Sequence, residues 1–220
     1  MIEWLKKVSL FDNLNDDQLE HILRISQRRT FPAGSTMFHE KEIGYTFYVV
    51  LSGSIKLFTR SSGGDEKVLS VVAAGESFGE LSLLDGLPRS ASAQTLEPTT
   101  VLELSSDQFM NLLQSHFDIT RGILTELSRR LRKTNEHVND LTFLDGRTRV
   151  LKNIITLANQ HGKREGNIIS IHMALNYDEL AQMAGVTKQV LSDVIRELES
   201  RGVLSFGINE YKLNLMKLRG

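Results

Sequence analysis

An arginine, a serine hydroxyl and a carboxylate fall close together in the run Phe78–Ala91, FGELSLLDGLPRSA. Arg89 offers a planar fork matched to a phosphate, and the Ser90 hydroxyl adds a neutral donor. Leu81-Ser82-Leu83-Leu84 is long enough for one helical turn, whose first amide N–H groups lack intrahelical partners and can receive an anion. Glu80 does not suit a pure phosphate site. A carboxylate only accepts hydrogen bonds, so it suits a sugar hydroxyl rather than a second anion. With Gly75 and Gly79 flanking the start of the loop, the set predicts a cradle for a small sugar phosphate. The bland alternative is that Arg89 is a solvated or paired residue at a loop end.

The elements that must hold this cradle fall into three parts. From about Phe31 to Ser105 the chain carries short runs rich in β-branched and aromatic residues: Thr36–His39, Tyr45–Leu51, Ser54–Thr59, Lys67–Val72, Ser92–Thr95 and Thr99–Leu104. Turn signals separate them, among them Pro32-Ala33-Gly34, Ser52-Gly53, Ser61-Ser62-Gly63-Gly64-Asp65 and Pro98. Many short strands at this spacing predict a β-sandwich or barrel, a jelly roll first. Ahead of it, Asn15-Asp16-Asp17-Gln18 reads as a capping box opening a helix over Leu19–Arg28.

The second part reads as one long helix, opened by the box Ser105-Ser106-Asp107-Gln108 and free of glycine and proline, Gly122 excepted, until Gly146. Its seam Leu124, Leu127, Leu131, Thr134, Val138, Leu141 steps by three and four, the stripe of a parallel coiled coil. Glu126, Arg129, Arg130, Arg132, Lys133 and Glu136 flank the stripe, so a dimer helix is expected, with Leu124, Leu127, Leu131, Val138 and Leu141 at the interface. Packing on the chain's own sheet is the alternative. Thr134, beside Asn135, is the polar member, suited to setting register or meeting a ligand base.

In the third part, Arg149–Gln160 is amphipathic, Asn176–Glu179 caps a helix ending at Ala184, and Thr187 caps a second through Leu198. Ala181-x-x-x-Gly185 with Val186, Val190 and Ile195 matches a helix-turn-helix, and Val203–Ser205 and Tyr211–Leu215, joined through Gly207-Ile208-Asn209, predict a wing. The fold class is thus α+β, divided as 1–104, 105–145 and 146–220.

Composition narrows the function. With no cysteine, disulfides, thiolate zinc sites, cysteine-ligated clusters and cysteine nucleophiles are excluded. No apolar run reaches the ~18 residues of a membrane span, and the N-terminus is too polar for a signal peptide, which predicts a soluble cytoplasmic protein with no membrane partner. Residues 1–145 carry 15 Lys and Arg against 20 Asp and Glu, net −5, while 146–220 carry 11 against 7, net +4. A basic last third on an acidic body points to a polyanion for that third. No nucleophile–base or metal constellation stands out, so no catalytic residue, no metal and no enzyme activity are expected. His116 and His137 read as solvated.

The order of parts resembles the cyclic-AMP receptor protein and fumarate–nitrate regulator family of transcription regulators. FGELSLLDGLPRSA, the strand Tyr48-Val49-Val50-Leu51-Ser52-Gly53-Ser54 and the run Glu136–Asp145 carry the resemblance, which spans roughly Leu10 to Leu215. It implies a homodimer that binds an allosteric cyclic nucleotide, cyclic AMP first, needs no other cofactor, binds double-stranded DNA and meets RNA polymerase. It places Arg89 and Ser90 on the cyclic phosphate, Glu80 on the ribose hydroxyl, the amides of Gly79 and Leu81 nearby, and Thr134 and Asn135 at the base, asparagine standing where serine is usual. Ligand would join Arg89 to Thr134, shift the hinge near Asp140–Gly146 and re-aim Thr187–Leu198 toward successive major grooves. The lack of cysteine argues against the iron–sulfur and thiol-redox sensors of the family.

The N-terminal half of a recognition helix faces base edges, which nominates Thr187, Lys188, Gln189, Ser192, Asp193 and Arg196 for DNA contact. Relatives often carry an arginine–glutamate pair and a later arginine where Lys188, Gln189 and Asp193 stand. Gln189 suits adenine, Lys188 guanine, and Asp193 cytosine alone, so a half-site richer in A·T is expected. Two further readings stay open: a regulator of this build with a vestigial cassette answering another effector, and a nucleotide-binding protein whose winged helix contacts protein.

Overall fold

A computed structural model of the chain describes residues 2–172, 175–207 and 210–218. The chain folds as two compact units, Met1–Thr59 with Leu69–Thr134, and Arg60–Val68 with Asn135–Gly220.

The elements run α1 (Ile2–Leu5), α2 (Asp16–Ile25), β1 (Gln27–Phe31), β2 (Thr36–Phe38), β3 (Thr46–Ser52), β4 (Ser54–Arg60), β5 (Glu66–Ala73), β6 (Ser77–Phe78), α3 (Leu81–Asp85), β7 (Ser92–Thr95), β8 (Thr99–Ser105), α4 (Ser106–Ser115) and α5 (Phe117–Phe143). Two four-stranded sheets form, ordered β1-β8-β3-β6 and β2-β7-β4-β5, as a jelly roll requires. Strand β3 shows why its sequence is almost wholly apolar. Successive side chains point to opposite faces, so Phe47, Val49 and Leu51 join a cluster with Leu19 and Ile22 of α2 and Phe109 of α4. Tyr48 and Val50 face the other way, into a cluster with Ile55, Val72, Phe78, Ala93 and Val101. Covered on both faces, the strand reads as a continuous apolar run.

Two expectations change here. Helix α2 is capped by Asn15 and Gln18 as predicted, but it stops at Ile25 rather than Arg28. Residues from Gln27 instead pair in register with Glu103 through Thr99 of β8, and a full ladder of backbone hydrogen bonds outweighs one more helical turn. The expected single long helix is two. Ser105 and Gln108 cap α4, but His116 turns extended at φ −130° and ψ 95° before α5 starts. Phe109 and Leu112 before the break and Ile119 and Ile123 after it are buried in one apolar cluster.

The second unit continues with α6 (Gly146–His161), β9 (Gly162–Glu165), β10 (Ile168–His172), α7 (Tyr177–Ala184), α8 (Lys188–Ser200), β11 (Leu204–Gly207), β12 (Glu210–Asn214) and α9 (Leu215–Leu218), with the sheet ordered β11-β12-β10-β9. Asn176 and Glu179 form the predicted capping box, and Gly185 takes a left-handed φ of 63° that ends α7. Val150, Ile154, Leu180, Leu191, Ile195, Leu204 and Leu213 are buried in this unit. The hairpin β9–β10 is an addition to the sequence reading. Its first strand is charged and mostly exposed, and its apolar signal is confined to β10. Ile208 and Asn209 of the expected wing turn lie outside the described residues.

Candidate ligand site and nucleic-acid interface

In the first unit Arg89 is brought inward rather than left at a loop end, and is only 5% exposed. Its Nη1 donates to the Gly79 carbonyl (2.7 Å) and to Ser82 Oγ (2.9 Å), and Nη2 donates to the Thr46 carbonyl (2.7 Å). The guanidinium lies 4.2 Å from the centre of the Phe38 ring. Burial pulls its pKa below the ordinary arginine value, against the opposing pull of Tyr48, Glu80 and Glu42. Two glycines make this position possible. A Cβ at Gly44 would stand 2.3 Å from Ser82 Oγ and 2.5 Å from Arg89 Nε, and one at Gly79, where φ is 85°, would stand 2.9 Å from Arg89 Nη1.

Glu80 is buried as well, at 3% exposure. It is not paired to Arg89. Its Oε1 accepts from Arg130 Nη1 of α5 at 2.8 Å, and Arg130 also donates to the Ser77 carbonyl and, through Nε, to Glu126 Oε1 at 2.9 Å. In the sequence Arg130 stands out only as a charge flanking the seam. Its place four residues before Thr134 is the available signal, because residues four apart share a helix face.

Gly79, Glu80, Leu81, Arg89, Ser90 and Arg130 line one cavity of about 50 Å³, together with Phe38, Leu57, Phe78, Ser82 and Ala91. Ser90 is exposed at its edge. Among the described residues only three buried polar side-chain atoms lack a hydrogen-bond partner, and two belong here: Glu80 Oε2 and Arg89 Nε. An unused acceptor and an unused charged donor in one lining match a ligand that bears a hydroxyl and an anion. The helical turn α3 forms as predicted after Glu80. Thr134 and Asn135 do not join this lining. Both are exposed on α5, and the Thr134 hydroxyl donates to the Arg130 carbonyl at 3.0 Å.

On α5, Leu124, Leu131, Val138 and Leu141 are exposed at 59, 62, 55 and 44%. Leu127 differs, being partly buried against the apolar cluster of its own unit.

In the second unit Thr187 caps α8, its Oγ1 accepting from the Val190 amide at 3.3 Å. Lys188, Gln189, Asp193 and Arg196 are exposed, and Ser192 is half-buried. Asp193 organises the set. Gln189 Nε2 donates to both of its oxygens, at 2.9 and 3.1 Å, and Arg196 lies 3.8 Å away. Lys188 pairs with Asp178 of α7 at 2.6 Å. Lys188, Gln189 and Arg196 therefore each have an acidic partner on the protein. Behind them Arg149 grips the turn, donating to the Ala184 and Gly185 carbonyls (2.9 Å each) and to that of Leu144 (2.8 Å).

Comparison with known proteins assigns residues 28–116 to the cyclic nucleotide-binding domain and 148–219 to the Crp-like helix-turn-helix domain. The CRP-like cAMP-activated global transcriptional regulator of Mycobacterium tuberculosis is 30% identical over 202 residues, 92% of this chain and 90% of that protein. The cyclic AMP receptor protein of Thermus thermophilus is 32% identical over 203 residues, 92% and 91% of the two chains. The c-di-GMP responsive global regulator CLP of Xanthomonas campestris shares the fold, with a TM-score of 0.75 at 24% identity over 91% of this chain and 99% of that one.

Proposed function

This chain belongs to the cyclic-AMP receptor protein and fumarate–nitrate regulator family of DNA-binding transcription regulators, and from that premise we propose that a cyclic nucleotide, cyclic AMP first, gates DNA binding by its homodimer. One observation carries the sensor half: Glu80 Oε2 and Arg89 Nε are both buried, unpartnered and in the lining of one cavity. The carboxylate oxygen would accept from the ribose hydroxyl, and Arg89 with Ser90 and the amides of Gly79 and Leu81 would hold the cyclic phosphate. Relatives named for cyclic AMP support that choice of nucleotide.

The cavity as it stands, about 50 Å³, is far below the ~300–1,000 Å³ of sites that enclose a small organic ligand. Entry therefore requires displacement, and Arg130 is the group placed to move. It is held to Glu80, Ser77 and Glu126, so a ligand hydroxyl on Glu80 competes with it directly. Because Arg130 sits on α5, one turn before Thr134, its release would change the helix that carries the exposed apolar seam. The seam would pair two copies, and the hinge near Asp140–Gly146 would set the spacing of their α8 helices on DNA. The family's DNA-binding role supports reading this chain as a regulator.

The vestigial reading has an observation of its own: both terminal nitrogens of Arg89 already donate to protein oxygens, Nη1 to two and Nη2 to one. Calorimetry with cyclic AMP and cyclic GMP separates the two. Binding by wild type, weakened by about tenfold or more in Arg89→Ala through loss of a charge-assisted contact, is expected. Wild type that binds neither nucleotide would establish the vestigial reading. Duplex affinity that rises with the nucleotide and falls steeply with salt is the matching expectation for the winged helix. No salt slope would leave protein as its partner.

A further inference from the structure

The first unit holds a second, larger cavity of about 490 Å³. It is a solvent-open cleft on the face of α5 marked by Asp118, Arg121, Gly122, Thr125, Glu126 and Arg129, bounded on its other side by Leu10, Asn13, Glu76 and Ser77. Helix periodicity puts these positions on the opposite side of α5 from Leu124, Leu131 and Val138. Gly122 explains why the wall sits where it does. A mid-helix glycine costs ~1 kcal/mol in helix propensity, and here a Cβ would stand 2.8 Å from Leu10 Cδ1. The size falls in the ~300–1,000 Å³ range of small-molecule sites.

The charges of the lining select the ligand. Three carboxylates, Glu76, Asp118 and Glu126, face two guanidiniums, Arg121 and Arg129. Each guanidinium is already matched: Arg121 to Asp118 at 3.0 Å, and Arg129 to both oxygens of Glu126 at 2.8 and 2.9 Å, with Glu76 at 3.7 Å. An anion entering alone meets three carboxylates, and a cation alone meets two guanidiniums. A molecule carrying both charges replaces each pair it breaks with a new one. Arg121 and Glu126, five residues apart on a helix rising ~1.5 Å per residue, are separated by ~7.5 Å along the axis, so the two charges must stand at opposite ends of an extended chain.

Glu126 also belongs to the other site. Its Oε1 accepts from Arg130 Nε at 2.9 Å, while Arg130 holds Glu80 at 2.8 Å. Glu76, Arg129, Glu126, Arg130 and Glu80 thus form one unbroken chain of charges between the two cavities.

We propose that this cavity is a second ligand site for an extended amino-acid-sized zwitterion, whose ammonium engages Glu126 and Glu76 and whose carboxylate engages Arg121. Its occupancy draws Glu126 from Arg130 and so alters the nucleotide site, a coupling that rests on the nucleotide reading above. Titration calorimetry of the full chain uses three probes of equal chain length: ε-aminocaproate, caproate and hexylamine. ε-Aminocaproate is expected to bind at least about tenfold more tightly than either singly charged probe. Thr125→Trp, which fills the cavity from an exposed helix position, is expected to weaken it by about tenfold with an unchanged circular dichroism spectrum. Equal binding of the three probes, no binding by any, or full binding to folded Thr125→Trp overturns the site. Where cyclic AMP binds, saturating ε-aminocaproate is expected to shift its Kd by about threefold or more in wild type and not in Glu126→Gln. An unshifted Kd in wild type overturns the coupling. The probe-binding arm needs no nucleotide, so its failure is distinct from failure of the nucleotide reading.

Discussion

Arg89 has a rigid seat: three donated hydrogen bonds, an aromatic face at 4.2 Å and backbone pressed close at Gly44. That seat fixes the guanidinium before any ligand arrives, which lowers the ordering cost of binding. Gly44 is the residue that permits it, and substitution there tests the seat without removing a charge. Gly44→Ala forces a methyl into atoms 2.3–2.6 Å away, so Ser82 and Arg89 must both shift, at a cost of ~1–3 kcal/mol for overpacking. A lowered denaturation midpoint together with weaker nucleotide binding is the expected outcome. A variant with wild-type stability would show that the seat is softer than its distances indicate. In the sequence Arg89, Glu80 and Ser90 are legible because they lie in one short run. Gly44, the Thr46 carbonyl and Arg130 are not, because the last pairs with Glu80 across 50 positions and only the fold brings them together.

Among the elements, the capping boxes at Asn15, Ser105 and Asn176 are readable because both reciprocal hydrogen bonds fall within four residues. The break at His116 is not, because no glycine or proline marks it in the sequence. Helix α5 carries a further consequence at His137, which the sequence marks as solvated and the structure half-buries. Burial first, then Lys67, Arg149 and Lys152, hold its pKa below the ordinary 6.5, with Asp140 opposing. Between that lowered value and 6.5 the unfolded chain binds more protons than the folded one. Stability therefore declines as pH falls through this window and levels off below the folded value. Urea midpoints at about pH 7.5 and about pH 5.5 should show the decline in wild type and a smaller one in His137→Gln. Equal slopes in the two proteins would remove His137 as its source.

For the molecule as a whole, α5 is the one helix among the described residues that is shared between units, giving Phe117–Thr134 to the first and Asn135–Phe143 to the second. The order of roll, seam helix and winged helix is plain in the sequence because each part has its own period: short alternating strands, three-and-four steps, capped amphipathic turns. The seam also presents an energetic problem that a lone chain leaves unsolved. Leu124, Leu131 and Val138 recur every seven residues and are each more than half exposed, the pattern that a second copy buries. Leu131 is the sharpest probe, because it packs in neither apolar cluster of its own unit. In the proposed dimer, Leu131→Glu would place like charges opposite each other across the seam, and the roll would be left untouched. Sedimentation is expected to show a dimer for wild type and a monomer for the variant at micromolar concentration. DNA affinity should then fall by about a hundredfold or more, because two linked half-site contacts become one. If Leu131→Glu sediments as a dimer, copies associate through another face, and the exposed stripe on α5 must serve a different partner.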